Sequence, residues 1–287
     1  MTERPHRRRV RVSAILLALA VVLGACLWHS NRVLQVVEAR FASARLPAPF
    51  DGFTIVQLTD LHGAVFGEDN SPLLERVAAA EPDLIAVTGD ILDRFRETPV
   101  SYAVGLCERL SAIAPTYFVT GNHDWALGTD TLKELLSALE EVGVDCLGNE
   151  AVRLEREGAS IVLAGIHDPN GWADQKTPAE TAAEVYARYG DPFWILLAHR
   201  NDRFEGEYAP LGADLTLSGH GHGGIVRLPF TDGLLGTDRR LFPSYTAGFY
   251  EAGGATVYVS RGLGNSGPSL RLLNRPEITV LRLERQP

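Results

Sequence analysis

Groups of aspartate, asparagine and histidine follow predicted β-strands at five places in the chain. In chain order these groups are Asp60-Leu61-His62, Gly89-Asp90, Gly121-Asn122-His123-Asp124, His199 and Gly219-His220-Gly221-His222. Imidazole and carboxylate groups together favour Mn, Fe or Zn over Ca, which prefers oxygen ligands alone. The residue types therefore indicate a transition-metal site assembled from distant parts of the chain.

The spacing within two of these groups supports convergence on one site. In Asp60-x-His62 and His220-x-His222, an extended backbone would direct residues i and i+2 to the same side. The flanking glycines permit tight turns and leave room for a ligand. Open α/β sheets place their sites at the carboxyl ends of strands, so all five groups can meet in one crevice.

Each group taken alone also has an ordinary structural explanation. An Asp-x-His pair arises by chance in roughly a third of chains of this length at average composition. Gly-Asp is a common turn dipeptide, and a lone histidine such as His199 is more often a hydrogen-bonded core residue than a ligand. The set departs from chance, because five of the eight histidines fall at strand ends in this order.

Alternating strand and helix patterns begin at residue 53 and predict an α/β fold. The opening half reads β-α-β-α-β-α, which implies a parallel sheet with right-handed crossovers. Predicted strands in this half cover residues 53–59, 84–88 and 117–120, and predicted helices cover 71–80, 100–113 and 129–142. Further strands are predicted at 161–164, 193–198, 215–218, 225–228, 256–260 and 278–283, with a helix near 179–189. We therefore expect two packed sheets with helices outside.

Composition and charge exclude several classes of protein. Of the 287 residues, 45% are hydrophobic and 22% are charged, which is typical of a globular protein rather than a disordered one. Residues 1–31 contain five arginines and one acid and carry a charge of +4. Since the whole chain carries −9, residues 32–287 carry −13. Such an acidic body is a poor candidate for nucleic-acid binding. Three cysteines without a CxxC pair argue against a disulfide framework and a thiolate zinc site.

The amino terminus combines a basic start with a long apolar run. Four arginines between residues 7 and 11 precede an uncharged stretch at 12–31, and about 20 helical residues span a bilayer core of about 30 Å. We interpret residues 1–28 as an uncleaved anchor, with the N-terminus in the cytoplasm and the body on the other side. A cleaved signal peptide fits less well, because no convincing small-x-small site lies just after Trp28. A lipoprotein box at Leu23–Cys26 is weaker still, since Cys26 has an equally good explanation as a buried small residue.

Taken together, the five groups resemble the signature of the calcineurin-like metallophosphoesterases. That signature is Asp-x-His, Gly-Asp-x-x-Asp, Gly-Asn-His-Asp or -Glu, a lone His and Gly-His-x-His, and the match covers residues 53–223, with Gly89–Asp93 as the second block. The ending at residues 260–278 is similar to the bacterial membrane-anchored phosphodiesterase branch. The resemblance implies a four-layer α-β-β-α sandwich of two mixed sheets flanked by helices, preceded by a transmembrane helix.

The resemblance also implies two divalent metal ions, which would be Mn, Fe or Zn. One ion would be held by Asp60, His62 and His222, and the other by Asn122, His199 and His220. Asp90 would bridge the two, since a carboxylate has two oxygens and a charge to share. Such a pair activates a bridging hydroxide for in-line attack on a phosphodiester or pyrophosphate bond.

Further roles follow from the same resemblance and carry alternatives. His123 is expected to donate to the leaving oxygen, and Asp124 is expected to orient that imidazole. For Asp93 a structural hydrogen bond is as good an explanation as a functional one. Arg200 is a weak candidate for binding substrate phosphate, and a surface arginine is the commoner case. It stands where a smaller polar residue is usual, and Gly221 and Ile225 depart from the family pattern beside the last histidine pair.

Three segments near the motifs have weaker functional interpretations. Trp125 and Trp172 could form a wall for an apolar or aromatic leaving group or belong to the core. His167-Asp168 follows a strand and could line the cleft. The glycine-rich stretch 262–267 could approach a phosphate or only make a turn.

The predicted domain organisation is an anchor at 1–28, a stalk and linker at 29–50 and a catalytic domain at 51–287. Val33, Leu34, Val37 and Phe41 recur at helical spacing within the stalk, before Leu46–Pro49 breaks the pattern. An equally good interpretation is that these apolar positions pack on the body.

Three functions are compatible with these observations. We favour a single-pass cell-membrane phosphoesterase that acts on diesters or pyrophosphates, with a lipid-linked or a soluble extracytoplasmic substrate. The second is a phosphomonoesterase or protein phosphatase with the same ligands. The third is a non-catalytic, metal-stabilised binding domain, which fits least well because every ligand and His123 are present.

Overall fold

The computed structural model describes residues 4–228, 232–237, 239–267 and 270–286. In these ranges the helices are Arg4–Arg32 (α1), Ser71–Ala79 (α2), Val100–Ser111 (α3), Asn122–Trp125 (α4), Thr129–Glu141 (α5) and Pro178–Tyr189 (α6). The first seven strands are Gln35–Ser43 (β1), Thr54–Leu58 (β2), Leu84–Thr88 (β3), Thr116–Val119 (β4), Val144–Cys146 (β5), Glu150–Arg156 (β6) and Ala159–Ile166 (β7). The others are Trp194–Arg200 (β8), Leu215–Gly219 (β9), Val226–Arg227 (β10), Gly233–Leu235 (β11), Gly248–Ala252 (β12), Ala255–Val259 (β13) and Glu277–Arg285 (β14).

Two mixed six-stranded sheets form the centre of the molecule. The first has the order β1-β14-β2-β3-β4-β5, with β2 to β5 parallel and β14 antiparallel to β2. The second has the order β12-β13-β9-β8-β7-β6, with parallel strands inside and antiparallel strands at both edges. A separate hairpin joins β10 and β11.

Apolar side chains alternate between two faces of each central strand, which produces four layers. On β2, Val56 and Leu58 pack under α2, α3 and α5, whereas Ile55 points between the sheets. The outer face of the second sheet is covered by α6 and by short helical turns at 201–211. Strands buried on both faces explain the continuous apolar runs in the sequence. The predicted four-layer α-β-β-α sandwich is confirmed.

The sheet topology brings the chemical groups to one edge. The β2, β3 and β4 strands run in parallel in the first sheet, and β8 and β9 run in parallel in the second. The five motifs follow or end these five strands. Gln57 links the two sheets at this edge, because its amide donates to the Thr88 hydroxyl (2.9 Å) and the Ser218 carbonyl (3.0 Å).

The helix α1 is the candidate for a membrane span. Its segment Arg9–Arg32 is long and apolar enough to cross a bilayer, and none of its most apolar stretch is buried against the body. Leu17, for example, is 67% exposed. Among the described residues no other helix has this combination.

The predicted stalk differs from the structure. Residues Gln35–Ser43 form β1, which pairs in parallel with β14 along its whole length at the edge of the first sheet. Leu34, Leu46 and Phe50 on either side of this strand are buried. The alternative interpretation therefore describes the segment better, because its apolar positions pack on the body. Val37 and Phe41 are four residues apart, a spacing that fits both a helix and the alternate positions of a strand.

A truncation experiment tests this integration. A fragment of residues 48–287 lacks β1 and two buried leucines, each of which contributes about 1.5–3 kcal/mol. We expect its midpoint of thermal unfolding to lie at least about 6 °C below that of residues 29–287, since each kcal/mol shifts the midpoint by about 2–4 °C. Equal midpoints in differential scanning calorimetry would show that β1 is dispensable for the fold.

Candidate metal centre

The backbone at the ends of the strands is unusual, because ligand candidates with side chains occupy the left-handed region. The predicted extended geometry of Asp60-x-His62 and His220-x-His222 is wrong, since the chain turns sharply as soon as β2 and β9 end. Non-glycine residues rarely adopt positive φ, and strained backbone of this kind clusters at functional sites. The φ angles are 52° at Asp60, 48° at His62, 53° at Asp90, 65° at His220 and 47° at His222.

A glycine allows two of these turns to approach each other closely. Gly89 has φ of +90°, and a Cβ atom there would lie 2.6 Å from the Gly121 nitrogen and 2.8 Å from His199 Nδ1. Both distances are shorter than van der Waals contact, so a side chain at residue 89 would push the ligand loops apart. The glycine that precedes Asp90 therefore has a steric function.

The first cluster of ligand candidates consists of Asp60, His62 and His222, all buried. Asp60 Oδ1 lies 3.2 Å from His222 Nε2 and 3.8 Å from His62 Nε2. The two Nε2 atoms of His62 and His222 are 3.1 Å apart. Two nitrogens and a carboxylate oxygen thus point at one small volume.

The second cluster consists of Asp90, His199 and His220. His199 Nδ1 donates to the Thr88 carbonyl (2.8 Å), which directs Nε2 towards Asp90 Oδ2 at 3.3 Å. The rings of His199 and His220 lie 5.1 Å apart. A backbone carbonyl therefore fixes the orientation of one imidazole, as is common for metal ligands.

The carboxylate of Asp90 lies between the two clusters. Its Oδ2 is 3.7 Å from His62 Nε2 in the first cluster and 3.3 Å from His199 Nε2 in the second. Its Oδ1 accepts a hydrogen bond from the backbone nitrogen of His123 at 2.7 Å. Asp90 is thus the side chain through which the two groups of ligand candidates meet.

Three buried polar atoms at the clusters test whether cations fit. Asp60 Oδ1, Asn122 Oδ1 and His199 Nε2 are buried and have no hydrogen-bond partner among the described residues. Unsatisfied buried polar atoms are costly, so native proteins retain them where something else binds. Imidazole nitrogens, carboxylates and an amide oxygen suit Mn, Fe or Zn. The residues therefore fit two divalent cations.

Burial and mutual attraction set the charges of these groups. Burial raises the pKa of a carboxyl, but His199 and His62 nearby hold the pKa of Asp90 below its ordinary value. Burial similarly opposes a charge on His199, yet the Asp90 charge raises the pKa of that imidazole to about 10. Burial, reinforced by the charges of His199 and Arg200, lowers the pKa of His220 to about 3. Because a proton and a cation compete for the same nitrogen of His199, cation binding there releases a proton.

His123 lies beside the clusters, and its orientation comes from a residue other than the expected one. Its Nδ1 donates to Asp93 Oδ1 at 2.9 Å. Burial disfavours a charged imidazole, but the hydrogen bond to Asp93 and the charge of Asp90 raise the pKa of His123. The Asp93 carboxyl has its pKa lowered to about 2, because this hydrogen bond outweighs the effect of burial. The orienting role predicted for Asp124 therefore belongs to Asp93.

Asp124 instead holds the ligand loops together. Its carboxylate accepts hydrogen bonds from the backbone nitrogens of Asp90 (2.8 Å), Gly121 (2.8 Å) and Leu92 (3.3 Å). Burial, together with the nearby charge of Asp90, raises the pKa of Asp124 to about 7. These three bonds join the turn that carries Asp90 to the turn that carries Asn122.

Comparison with known protein families gives a match over the part of the chain that carries these groups. The calcineurin-like phosphoesterase family matches residues 53–224. The chain belongs to the calcineurin-like phosphoesterase family. It is a metal-dependent phosphoric ester hydrolase by family.

The sequence of this phosphoesterase is similar to that of three relatives over most of its length. It is 33% identical to the uncharacterized metallophosphoesterase YkuE of Bacillus subtilis, over 88% of this chain and 86% of the relative. It is 31% identical to the phosphodiesterase YaeI of Escherichia coli, over 80% of this chain and 82% of the relative. A transmembrane protein with metallophosphoesterase domain from Bos taurus is 32% identical over 85% of this chain and 55% of the relative.

The weaker candidates lie close to the centre but have protein partners. Arg200 Nε donates to Asp168 Oδ2 at 2.6 Å, so the arginine predicted to bind substrate phosphate is held in an ion pair. His167 Nδ1 lies 2.9 Å from the Thr120 hydroxyl. Trp125 and Trp172 contact each other with ring centroids 4.7 Å apart, and both remain half-buried.

The glycine-rich stretch 262–267 packs on the first motif. A Cβ atom at Gly262 would lie 2.7 Å from the Cβ of Asp60, and the Gly264 nitrogen donates to the Asp60 carbonyl at 2.6 Å. The role that the structure assigns to Gly262 and Gly264 is therefore close backbone packing rather than a turn alone.

Four residues at the phosphoesterase centre lie outside the ligand motifs. Ser266 Oγ lies 3.3 Å from His123 Nε2, and the Phe95 ring contacts the His123 ring edge-on at 5.8 Å. Arg271 and Asn274 contact the side chain and the carbonyl of His222. None of the four belongs to a ligand motif. Ser266 lies in the glycine-rich stretch 262–267, and Arg271 and Asn274 lie in the family-like ending, whereas no pattern marks Phe95.

Two substitutions separate the roles of the neighbouring acids. Asp93→Asn removes the charge that favours the His123 imidazolium, so we expect turnover to fall about 10–100-fold with full metal content. Asp124→Ala leaves three buried amides unpaired, at about 1–3 kcal/mol each, so metal content and the unfolding midpoint should both fall. Elemental analysis measures the metal content of the two variants, and thermal denaturation measures their unfolding midpoints. Full metal content and an unchanged midpoint in Asp124→Ala, with turnover lowered, would restore the imidazole-orienting role to Asp124.

Proposed function

We propose that this chain is a membrane-anchored, dinuclear-metal phosphoesterase that hydrolyses phosphodiester or pyrophosphate bonds. The observation that carries the proposal is the position of the Asp90 carboxylate between two clusters of imidazole and carboxylate groups. In this assignment Asp60, His62 and His222 hold one cation, Asn122, His199 and His220 hold the other, and Asp90 contacts both. Two divalent cations held here would activate a water molecule and neutralise the phosphate oxygens during in-line displacement.

The carboxylates among the proposed ligands offset part of the charge of the cations. Asp60 and Asp90 are the two carboxylates among the proposed ligands, and both have pKa values below the ordinary range despite their burial, because histidines surround them. They therefore remain negative and offset the charge of the cations. The remaining positive charge attracts the phosphate group of a substrate.

His123 is the proposed acid for the leaving oxygen. Its Nδ1 is engaged by Asp93, so Nε2 is the nitrogen that can face substrate. The raised pKa of His123 favours the protonated imidazole that a general acid requires. Ser266 Oγ, at 3.3 Å from Nε2, marks the direction in which that proton points.

Support for a diester substrate comes from a relative rather than from the ligands. Metal ligands are shared between diesterases and monoesterases, whereas YaeI is named a phosphodiesterase and aligns over 80% of this chain. A monoesterase or protein phosphatase on the same site is the alternative, and an assay that pairs both ester types distinguishes them.

The proposed location is the cell membrane, with a single span and an extracytoplasmic catalytic domain. The exposed apolar helix α1 favours a lipid environment over water, because a soluble protein rarely exposes so large an apolar surface. The similar Bos taurus protein is named as a transmembrane protein. The arginines at residues 7–11 favour a cytoplasmic N-terminus.

Hydrolysis assays on the full chain with added Mn²⁺ test the proposed chemistry. We expect turnover of a chromogenic diester to exceed that of the matching monoester. Asp90→Ala should abolish it, and His123→Ala should lower it about 10²–10⁴-fold without loss of metal. Asp174→Ala, at an exposed aspartate, is the matched control. Diester turnover that survives Asp90→Ala would contradict the mechanism. Loss of metal in proportion to activity in His123→Ala would show that His123 is a metal ligand.

A fusion experiment tests the orientation. A reporter that is active only outside the cytoplasm, joined after Pro287, should be active because the arginines retain the N-terminus inside. Replacement of the arginines between residues 7 and 11 by asparagine should reduce that activity, since the charge bias disappears. An inactive reporter in the unaltered chain, with the fusion present in the membrane, would reverse the orientation.

A further inference from the structure

The base of α1 is hydrogen-bonded to a segment near the metal centre. Asn31 Nδ2 donates to the carbonyls of Leu27 (2.7 Å) and Arg271 (2.9 Å), and Asn31 Oδ1 accepts from the nitrogens of Arg271 (3.1 Å) and of the Asn265 amide (3.0 Å). Ser30, which is buried, accepts from the Leu273 nitrogen at 2.9 Å. All four hydrogen-bonding positions of the Asn31 amide are therefore occupied.

The guanidinium of Arg271 is fully buried and contacts backbone carbonyls and a side-chain amide oxygen rather than a carboxylate. Nε donates to Asn265 Oδ1 (2.8 Å), and Nη2 donates to the carbonyls of Gly264 (2.6 Å) and Arg261 (2.9 Å). Among the described residues it forms no ion pair, although an unpaired buried charge is expensive. A fixed guanidinium fork that holds several backbone acceptors is a use to which lysine is not suited.

The loop that Arg271 holds lies directly against the first metal cluster. The nitrogens of Leu263 and Gly264 donate to the carbonyls of Thr59 (3.0 Å) and Asp60 (2.6 Å). Arg271 Nη2 itself lies 3.4 Å from His222 Nδ1. One side chain thus contacts the ring of one proposed ligand and the loop that supports another.

Neighbouring residues of the same segment complete the connection. Asn274 Nδ2 donates to the His222 carbonyl at 2.7 Å, which holds the left-handed turn that carries this ligand. Arg275 donates to the carbonyls of Val33 (3.1 Å) and Leu34 (2.6 Å), which directly follow α1. The segment Arg271–Arg275 therefore joins the end of α1 to two ligands of the same cation.

We propose that Arg271 is a positioning residue for the cation held by Asp60, His62 and His222, and that Asn31 at the base of α1 keeps Arg271 in place. This inference rests on the proposed dinuclear function. In this arrangement the end of α1 supports the metal centre as well as tethering it. Within the described part of the chain, the contacts of Arg271 reach the proposed ligands of only one of the two cations.

Mn²⁺ titration of the full chain in detergent, without substrate, tests the inference. Free Mn²⁺ is measured by electron paramagnetic resonance for the wild type, Asn31→Ala, Arg271→Lys and the control His29→Ala. His29 lies on the same helical turn as Asn31, and its side chain is exposed. We expect two bound Mn²⁺ in the wild type and the control. In Asn31→Ala and Arg271→Lys the affinity for one Mn²⁺ should fall about 10–100-fold while the other is unchanged.

The remaining outcomes separate this inference from the proposed function. Unchanged affinity for both Mn²⁺ would overturn the positioning role, because loss of a positioning residue should weaken the site that it supports. Equal weakening of both would also overturn it, because a merely structural change does not select one site. If Arg271→Lys fails to fold, Asn31→Ala, at a half-buried position, decides alone. Fewer than two bound Mn²⁺ in the wild type would overturn the dinuclear proposal itself.

Discussion

The Asp90 carboxylate between two histidine clusters is the interaction on which the rest of the centre depends. An isolated charge buried this deeply would be neutralised, and here imidazoles on both sides keep the carboxylate ionised. Several features serve to hold this one side chain. Gly89 lets the turn that carries Asp90 approach Gly121. The Asp124 carboxylate accepts a hydrogen bond from the backbone nitrogen of Asp90, and the backbone nitrogen of His123 donates to Asp90 Oδ1.

Strain and support are distributed around that centre. Five ligand candidates sit in the left-handed region, which costs of order 1–3 kcal/mol each and persists only where the surroundings enforce it. The surroundings include the second sheet, the loop at 261–265 and the base of α1. The amino-terminal segment is thus part of the folded domain, because β1 extends the first sheet and Asn31 contacts the segment beside His222.

The sequence predicts the central fold well, for a physical reason. Strands covered on both faces have continuous apolar runs, and β3 spans Leu84–Thr88 as the pattern predicts. Edge strands expose one face, so β6 and β12 contain charged or small residues that obscure them. The sequence does not distinguish β1 from a helix, because a spacing of four residues satisfies both periodicities.

Supporting residues were harder to predict than the ligand candidates. His123 and Asp124 are adjacent in sequence, yet the short helix α4 directs Asp124 to the backbone of Asp90 and leaves Asp93 to bind the imidazole. Arg271 is some fifty residues from His222, and no local pattern marks a contact at that separation. Such contacts depend on how loops meet in three dimensions, which spacing along the chain does not encode.

Anomalous scattering from a crystal soaked in Mn²⁺ measures directly whether Asp90 lies between two cations. We expect two peaks about 3.5–4 Å apart, one on each side of the Asp90 carboxylate. A single peak, or two peaks that do not share Asp90, would contradict it.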